Sequence, residues 1–249
     1  MGVVQGSLDD LDRLRSAASD ADAVIHLAFN HDFSRFEQNS AQDRRAIETL
    51  GDALKGSDKI LLVTSGVALL APGRVATEAD VPTPNPSYPR RSEEAARMLA
   101  DREVHAATVR LAPSVHGVGE KHGFVPVLMD IARKAGVSAY VRDGTARWPA
   151  VHVEDAARLF RLALESGATE QAYHAVGEEG ITIRNIAEAI GRRLRLPVEP
   201  RPAEHFDWLA GFVAADMPAS SDRTRGQLGW TADGPGLLAD IADPEYARG

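Results

Sequence analysis

Apolar positions in this chain fall in short unbroken runs separated by amphipathic stretches, and the alternation repeats along its length. The clearest run is Lys59-Ile-Leu-Leu-Val-Thr-Ser-Gly66. It is too short for a helix and rich in β-formers, which predicts a strand buried on both faces, the habit of parallel sheets. Ala23-Val-Ile-His-Leu-Ala28 and Ala106-Ala-Thr-Val-Arg-Leu111 predict two more, as do residues 139–141 and 172–176, and Val3-Val4 has the look of a strand's tail. Helical spacing fills the gaps. Ser7 is a candidate N-cap with Leu8, Leu11 and Leu14 on one face behind it, and residues 29–55 carry an Ile47, Leu50 and Leu54 stripe that stops at Gly56. Residues 92–100, 124–134, 154–165 and 183–194 predict four further helices. The proline-rich stretch 81–89 can continue neither a helix nor a central strand. Beyond Pro197 the chain reads as helical and loop-rich, with Phe206, Trp208, Phe212 and Trp230 as packing anchors.

Strand–helix alternation of this kind predicts an α/β fold, a doubly wound, Rossmann-like parallel sheet. In such sheets ligands sit beyond the carboxyl ends of the strands, which makes Thr64, Ser65 and Gly66 the first candidates for chemistry. Composition narrows the partner. A formal charge of -8 over 249 residues argues against nucleic acid or an anionic membrane, both of which demand a basic face, and leaves a small-molecule substrate as the default. The absence of cysteine removes disulfides and thiol chemistry. No run approaches the roughly 20 apolar residues of a membrane span, and the first residues lack a basic segment followed by an apolar one, so a cytoplasmic location is expected. Eight histidines raise the question of a metal, but His116 and His122 lack ligand spacing, and no metal is expected.

Several motifs occur in an order that resembles the extended short-chain dehydrogenases/reductases, the NAD-dependent epimerase/dehydratase group. They are His26-Leu-Ala28, Val63-Thr-Ser65, Arg110-Leu-Ala-Pro-Ser-Val-His-Gly117, Trp148-Pro-Ala-Val-His-Val-Glu-Asp155, Ile181-Thr-Ile-Arg-Asn-Ile-Ala187 and Leu228-Gly-Trp230. The resemblance is strongest to atypical members. It implies a Rossmann-like domain over residues 1–176, with the chain crossing to a smaller C-terminal substrate lobe after about residue 117 and residues 177–249 mainly in that lobe. It also implies NAD or NADP as cofactor. By position, Ser7 and Leu8 would contact adenine, Leu27 and Ala28 the ribose and pyrophosphate, Thr64 the nicotinamide ribose, and Ala112 and Pro113 the nicotinamide face. Arg147 and Trp148 would contact substrate, and the helix within residues 35–55 would pair with a second copy in a homodimer.

Two departures from the family pattern carry as much information. The strand, glycine-rich turn and helix that bind the cofactor pyrophosphate do not occur in these 249 residues, and the chain begins near the family's third strand. Binding of NAD(H) or NADP(H) by this chain is therefore expected to be weak or absent. The family also uses a tyrosine as acid/base with a lysine four residues on, and here Tyr88 is followed by Ser92. Ser65 or Gly66 falls at the catalytic hydroxyl position. Two readings remain: an NAD(P)-dependent oxidoreductase, epimerase or dehydratase acting on a small molecule, or a redox-inactive scaffold used for ligand binding, interaction or cofactor-independent chemistry.

Overall fold

A computed structural model describes residues 2–83 and 88–247, so the middle of the proline-rich stretch lies outside the described residues. In chain order the elements are α1 (Leu11–Asp20), β1 (Ala23–His26), α2 (Phe36–Leu54), β2 (Ile60–Gly66), α3 (Ser92–Ala100) and β3 (Ala106–Leu111). They continue with β4 (Ser114–His116), α4 (Phe124–Ala135), β5 (Ser138–Val141), β6 (Arg147–His152), α5 (Val153–Glu165) and β7 (Ala172–Ala175). The remainder are β8 (Glu178–Thr182), α6 (Ile183–Leu194), β9 (Val198–Arg201), α7 (Ala210–Val213), α8 (Asp222–Leu228) and α9 (Leu237–Ala242). The chain divides into two compact units, the first of residues 1–65, 81–110 and 160–173, the second of residues 66–80, 111–159 and 174–249.

A parallel central sheet with strand order β1-β2-β3-β7 organises the fold, as the buried apolar runs predict. β1 pairs with β2 in parallel from Ala23 opposite Ile60 to His26 opposite Val63, and among the described residues the other side of β1 is an edge. That register sets the carboxyl end of β1 level with Thr64. In the first unit α2 lies between α1 and α3, and Ile47, Leu50, Leu54, Leu61, Val63 and Leu99 form its core. The stripe expected to face a second copy is thus used internally: Ile47 is fully buried and Leu50 nearly so. The start of the chain also differs from expectation. α1 begins at Leu11, because the Asp10 carboxylate accepts from the backbone N–H of Ser7 at 2.7 Å and holds residues 7–10 in a turn ahead of the helix, so Ser7 is not its N-cap. Val3 and Val4 form no strand and are exposed, 86% and 69%.

The second unit holds two small sheets, β4-β6-β8 and β5-β9. β4 and β6 run parallel with His116 opposite His152, while β6 and β8 are antiparallel. Its core gathers Trp148, Ile186, Ile190, Phe206, Leu237, Ile241 and Tyr246. α6 starts as its sequence suggests, with the Thr182 hydroxyl accepting from Asn185 N–H and Ile183, Ile186 and Ile190 turned inward. Two expectations for the stretch beyond Pro197 need correction. It opens with a strand, β9, and Trp208 is 44% exposed, whereas Phe206 and Trp230 are buried anchors. Among the described residues no helix is long and apolar enough to cross a membrane.

Candidate functional site

In the first unit the chemistry gathers at the carboxyl ends of β1 and β2. α2 carries a carboxylate, Asp43, with no exposed surface, and a buried charge of that kind has to be matched. One oxygen meets His26 Nε2 at 2.7 Å, and the other accepts from the Ser92 hydroxyl at 2.5 Å. Ser92 Oγ in turn accepts from Arg90 Nε at 2.9 Å, and a second arm of Arg90 donates to the Thr64 carbonyl at 3.0 Å. The guanidinium also lies over the Phe29 ring, 4.4 Å from its centroid, a cation–π contact that fixes its plane. Phe29, Phe33 and Phe36 meet edge to face with centroids 5.2–6.1 Å apart, and Tyr88 stands against Phe36 at 5.5 Å. The result is a cation locked at the strand end by charge-assisted hydrogen bonds, with an aromatic wall and a phenol nearby.

Ser92, at the lysine position, gives its hydroxyl to Asp43 and carries no charge. Arg90, two residues earlier, is held at the strand end by its own bonds, while Arg91 pairs with Glu94 at 2.6 Å on the surface. The two adjacent arginines therefore have separate partners. Thr64 is buried, and its hydroxyl oxygen is one of the few buried polar atoms without a hydrogen-bond partner among the described residues. Ser65 beside it is half-buried, Leu27 and Ala28 are exposed just past β1, Ser7 is exposed and Leu8 half-buried.

The remaining sequence candidates lie in the second unit. Ala112 is buried with its N–H bonded to the Ala175 carbonyl at 3.2 Å, and Pro113 is half-buried. Arg147 and Asp216 form a two-armed pair, Nε to Oδ1 at 2.9 Å and NH2 to Oδ2 at 2.8 Å. That pairing holds the Asp216 carboxyl below, and the Arg147 guanidinium above, their ordinary ranges. Both line a cavity of about 400 Å³ with Arg142, Asp143, Thr145 and Val213. Trp148 is fully buried, its indole N–H donating to the Phe212 carbonyl at 3.0 Å, and it belongs to the core. Asp155 does more than complement a helix end: it accepts from the Gly234 N–H at 2.9 Å and is almost fully buried. Sequence reasoning missed Phe29 and Asp43. The only signal for them was the density of aromatic residues between positions 29 and 36.

The NAD dependent epimerase/dehydratase family matches residues 2–176, and the chain belongs to that family. An uncharacterized protein of Saccharomyces cerevisiae is 46% identical over 244 residues, covering 96% of this chain and 82% of the yeast protein. An uncharacterized Schizosaccharomyces pombe protein is 43% identical over 97% of this chain and 83% of its own. Among solved structures, the dTDP-glucose 4,6-dehydratase DesIV of Streptomyces venezuelae, with NAD and TYD bound, superposes with a TM-score of 0.75 at 16% identity, covering 96% of this chain and 76% of DesIV. The Bordetella bronchiseptica enzyme WbmG, in complex with NAD and UDP, gives 0.72 at 20% identity, over 94% of this chain and 75% of WbmG. These two establish the shared fold.

Proposed function

We propose that this protein acts in nicotinamide-dependent chemistry of the epimerase/dehydratase type on a small polar molecule. The observation that carries the reading is the strand-end group of the first unit: a fixed Arg90 cation and a buried, unpartnered Thr64 hydroxyl at the carboxyl end of β2. These residues fit the ribose and nicotinamide end of NAD or NADP, which would supply hydride transfer when bound. Thr64 and Ser65 would offer hydroxyls to the ribose. Arg90 would supply the positive charge that a lysine supplies in the family's usual pattern, and Tyr88 would serve as acid or base. Guanidinium is a broad, planar donor rather than a compact ammonium, so Arg90 would hold a ribose less tightly than a lysine does. The second unit's cavity balances Arg142 and Arg147 against Asp143 and Asp216, which suits a polar substrate of low net charge.

The pyrophosphate end does not fit. No glycine turn leading into a helix is found in the sequence, and the outer edge of β1, where a further parallel strand would add, is unpaired among the described residues. Two or three missing charge-assisted hydrogen bonds at about 1.5–3 kcal/mol each weaken binding roughly a thousandfold or more. Fluorescence titration with NADH and NADPH tests this. The 249-residue chain should bind weakly or not at all, and a chain extended at its N-terminus by a glycine-rich strand–turn–helix segment should bind at micromolar level. Tight binding by the shorter chain would overturn the argument and assign the phosphates to another loop, such as 116–123. The second reading, a redox-inactive scaffold, is favoured by one observation, the commitment of Ser92 to Asp43 where the family has a lysine. Failure of the extended chain to bind either cofactor would establish it.

A further inference from the structure

The second unit contains a set of buried and half-buried ionisable groups that the proposed chemistry does not use. β4 and β6 end side by side in His116 and His152, whose rings meet edge to face at 5.6 Å. His116 Nδ1 is 2.6 Å from Asp240 Oδ2 on α9, and His152 Nε2 is 3.9 Å from the same oxygen. Glu178, which opens β8, accepts from the Leu237 N–H at 2.7 Å and stands 3.9 Å from His116 Nε2. Further along, the Tyr246 hydroxyl donates to Glu120 at 2.5 Å. His116, Asp240 and Tyr246 are all buried, and Ile241 and Leu237 fill the core between them. The segment 237–246 is therefore tied to the rest of its unit by three carboxylates, Glu120, Glu178 and Asp240. Facing them are two imidazoles. Arg193, the other basic side chain at this segment, uses its guanidinium on the Pro244 carbonyl at 2.7 Å.

One atom shows what this arrangement lacks. His116 Nε2 is buried and has no hydrogen-bond partner. With the Nδ1 proton given to Asp240, a neutral ring points its Nε2 lone pair toward Glu178, acceptor against acceptor. A proton on that nitrogen turns the same contact into an attraction.

We propose that residues 237–246 form a proton-operated latch, closed on β4, β6 and β8 while Glu120 carries a proton and loosened as that proton is lost with rising pH. Glu120, held by the Tyr246 hydroxyl, is the group that gives up the proton. Burial pushes its carboxyl up to about 7, the charge of Asp240 adds to the push, and the hydrogen bond from Tyr246 opposes it. The folded protein then binds a proton that the unfolded chain releases near pH 4.5, so this group's contribution to stability falls as pH rises from there through about 7. Above neutrality Glu120 places a second negative charge near Asp240. Tyr246 remains a neutral donor, since burial and the Glu120 charge push its phenol up.

Hydrogen–deuterium exchange across a pH series, corrected for the intrinsic pH dependence of amide exchange, tests the latch. The peptide spanning 237–246 should exchange at least about tenfold faster at pH 8 than at pH 6, which is one pH-linked proton's worth of opening. The helix of residues 36–54, in the first unit, should stay level. Glu120→Gln should flatten most of the rise. Tyr246→Phe removes the hydrogen bond that favours the ionised carboxylate, so its midpoint should move to higher pH; this variant decides the matter if the glutamine variant does not fold. Equal corrected protection at pH 6 and 8 in the parent would overturn the proposal. A Tyr246→Phe midpoint identical to the parent's, or a Glu120→Gln curve that follows it, would do the same.

Discussion

Both units bury carboxylates, yet they treat them differently. In the first, Asp43 has both oxygens bonded, to His26 and Ser92, and the buried Glu93 is gripped by both Arg110 Nε at 2.7 Å and NH2 at 2.6 Å. Both of these buried carboxylates have partners made of protein. In the second, Asp240 and Glu120 share imidazoles and a phenol as partners, and one imidazole nitrogen stays without a mate. A closed network of this kind gives rigidity, because breaking any member leaves a bare buried charge. An open one gives responsiveness, because a proton can complete it. The first unit uses its closed network to fix Arg90 at the strand end, and the second sets its open network beneath a segment with few other polar ties.

The largest expected effect comes from breaking the closed network. Arg110→Met leaves Glu93 buried and unpaired and should cost about 3–5 kcal/mol in chemical denaturation at pH 7. Adding Glu93→Leu should recover most of that loss, since an apolar pair of similar volume needs no counter-charge. A double variant as unstable as the single one would mean that Arg110 is held by packing rather than by its pairing, and the contrast between the units would weaken.

Much of the fold could be read in the sequence. The runs at 60–66 and 106–111 appear as strands because strands buried on both faces need continuous apolar residues, and 183–194 appears as a helix through its spacing and Thr182. β4, β6, β8 and β9 escaped notice for a physical reason. β6 contains Pro149, β8 opens Glu-Glu-Gly, and β4 and β9 are three and four residues long, so none presents the run or alternation that marks a strand. For the candidate site the sequence offered Thr64 and Ser65 by position along a strand, and Tyr88 through the family resemblance. Arg90 depends on a ring before α2 and a serine in α3, and His116 finds Asp240 across 124 residues of sequence, pairings that tertiary structure alone creates. The dimer stripe misled because an amphipathic helix shows that a face is buried without showing against what.

A middling effect is expected at Gly123. Its φ of +141° is one that side chains rarely adopt, and a Cβ there would fall 2.1 Å from Glu120 Oε1. Gly123→Ala should therefore displace Glu120 from Tyr246 and cost about 1–3 kcal/mol by thermal unfolding. The loss should be accompanied by a changed pH dependence of the 237–246 segment. If stability drops while that pH dependence stays as in the parent, backbone strain alone is responsible and Glu120 is not the hinge of the open network.

The smallest effect should come from a carboxylate of the opposite kind in the same unit. Asp80 accepts from the Thr77 N–H at 2.7 Å and from both arms of Arg74, and these bonds hold its carboxyl well below the usual range. A depressed carboxyl contributes stability that is fully present above its unfolded value and is lost as pH falls through the folded one. For Glu120 the sign is reversed, so the two should act on opposite limbs of one curve: Asp80 on the acid side, below about pH 4, and Glu120 on the rise toward 7. Chemical denaturation from pH 3 to 9 should show Asp80→Asn flattening only the acid limb. Its cost at pH 7 should be small, because the Arg74 side chain is largely exposed and water already screens the pair. If the asparagine variant also changes the slope above pH 6, the two carboxylates are coupled. The alkaline response could then no longer be assigned to the open network alone.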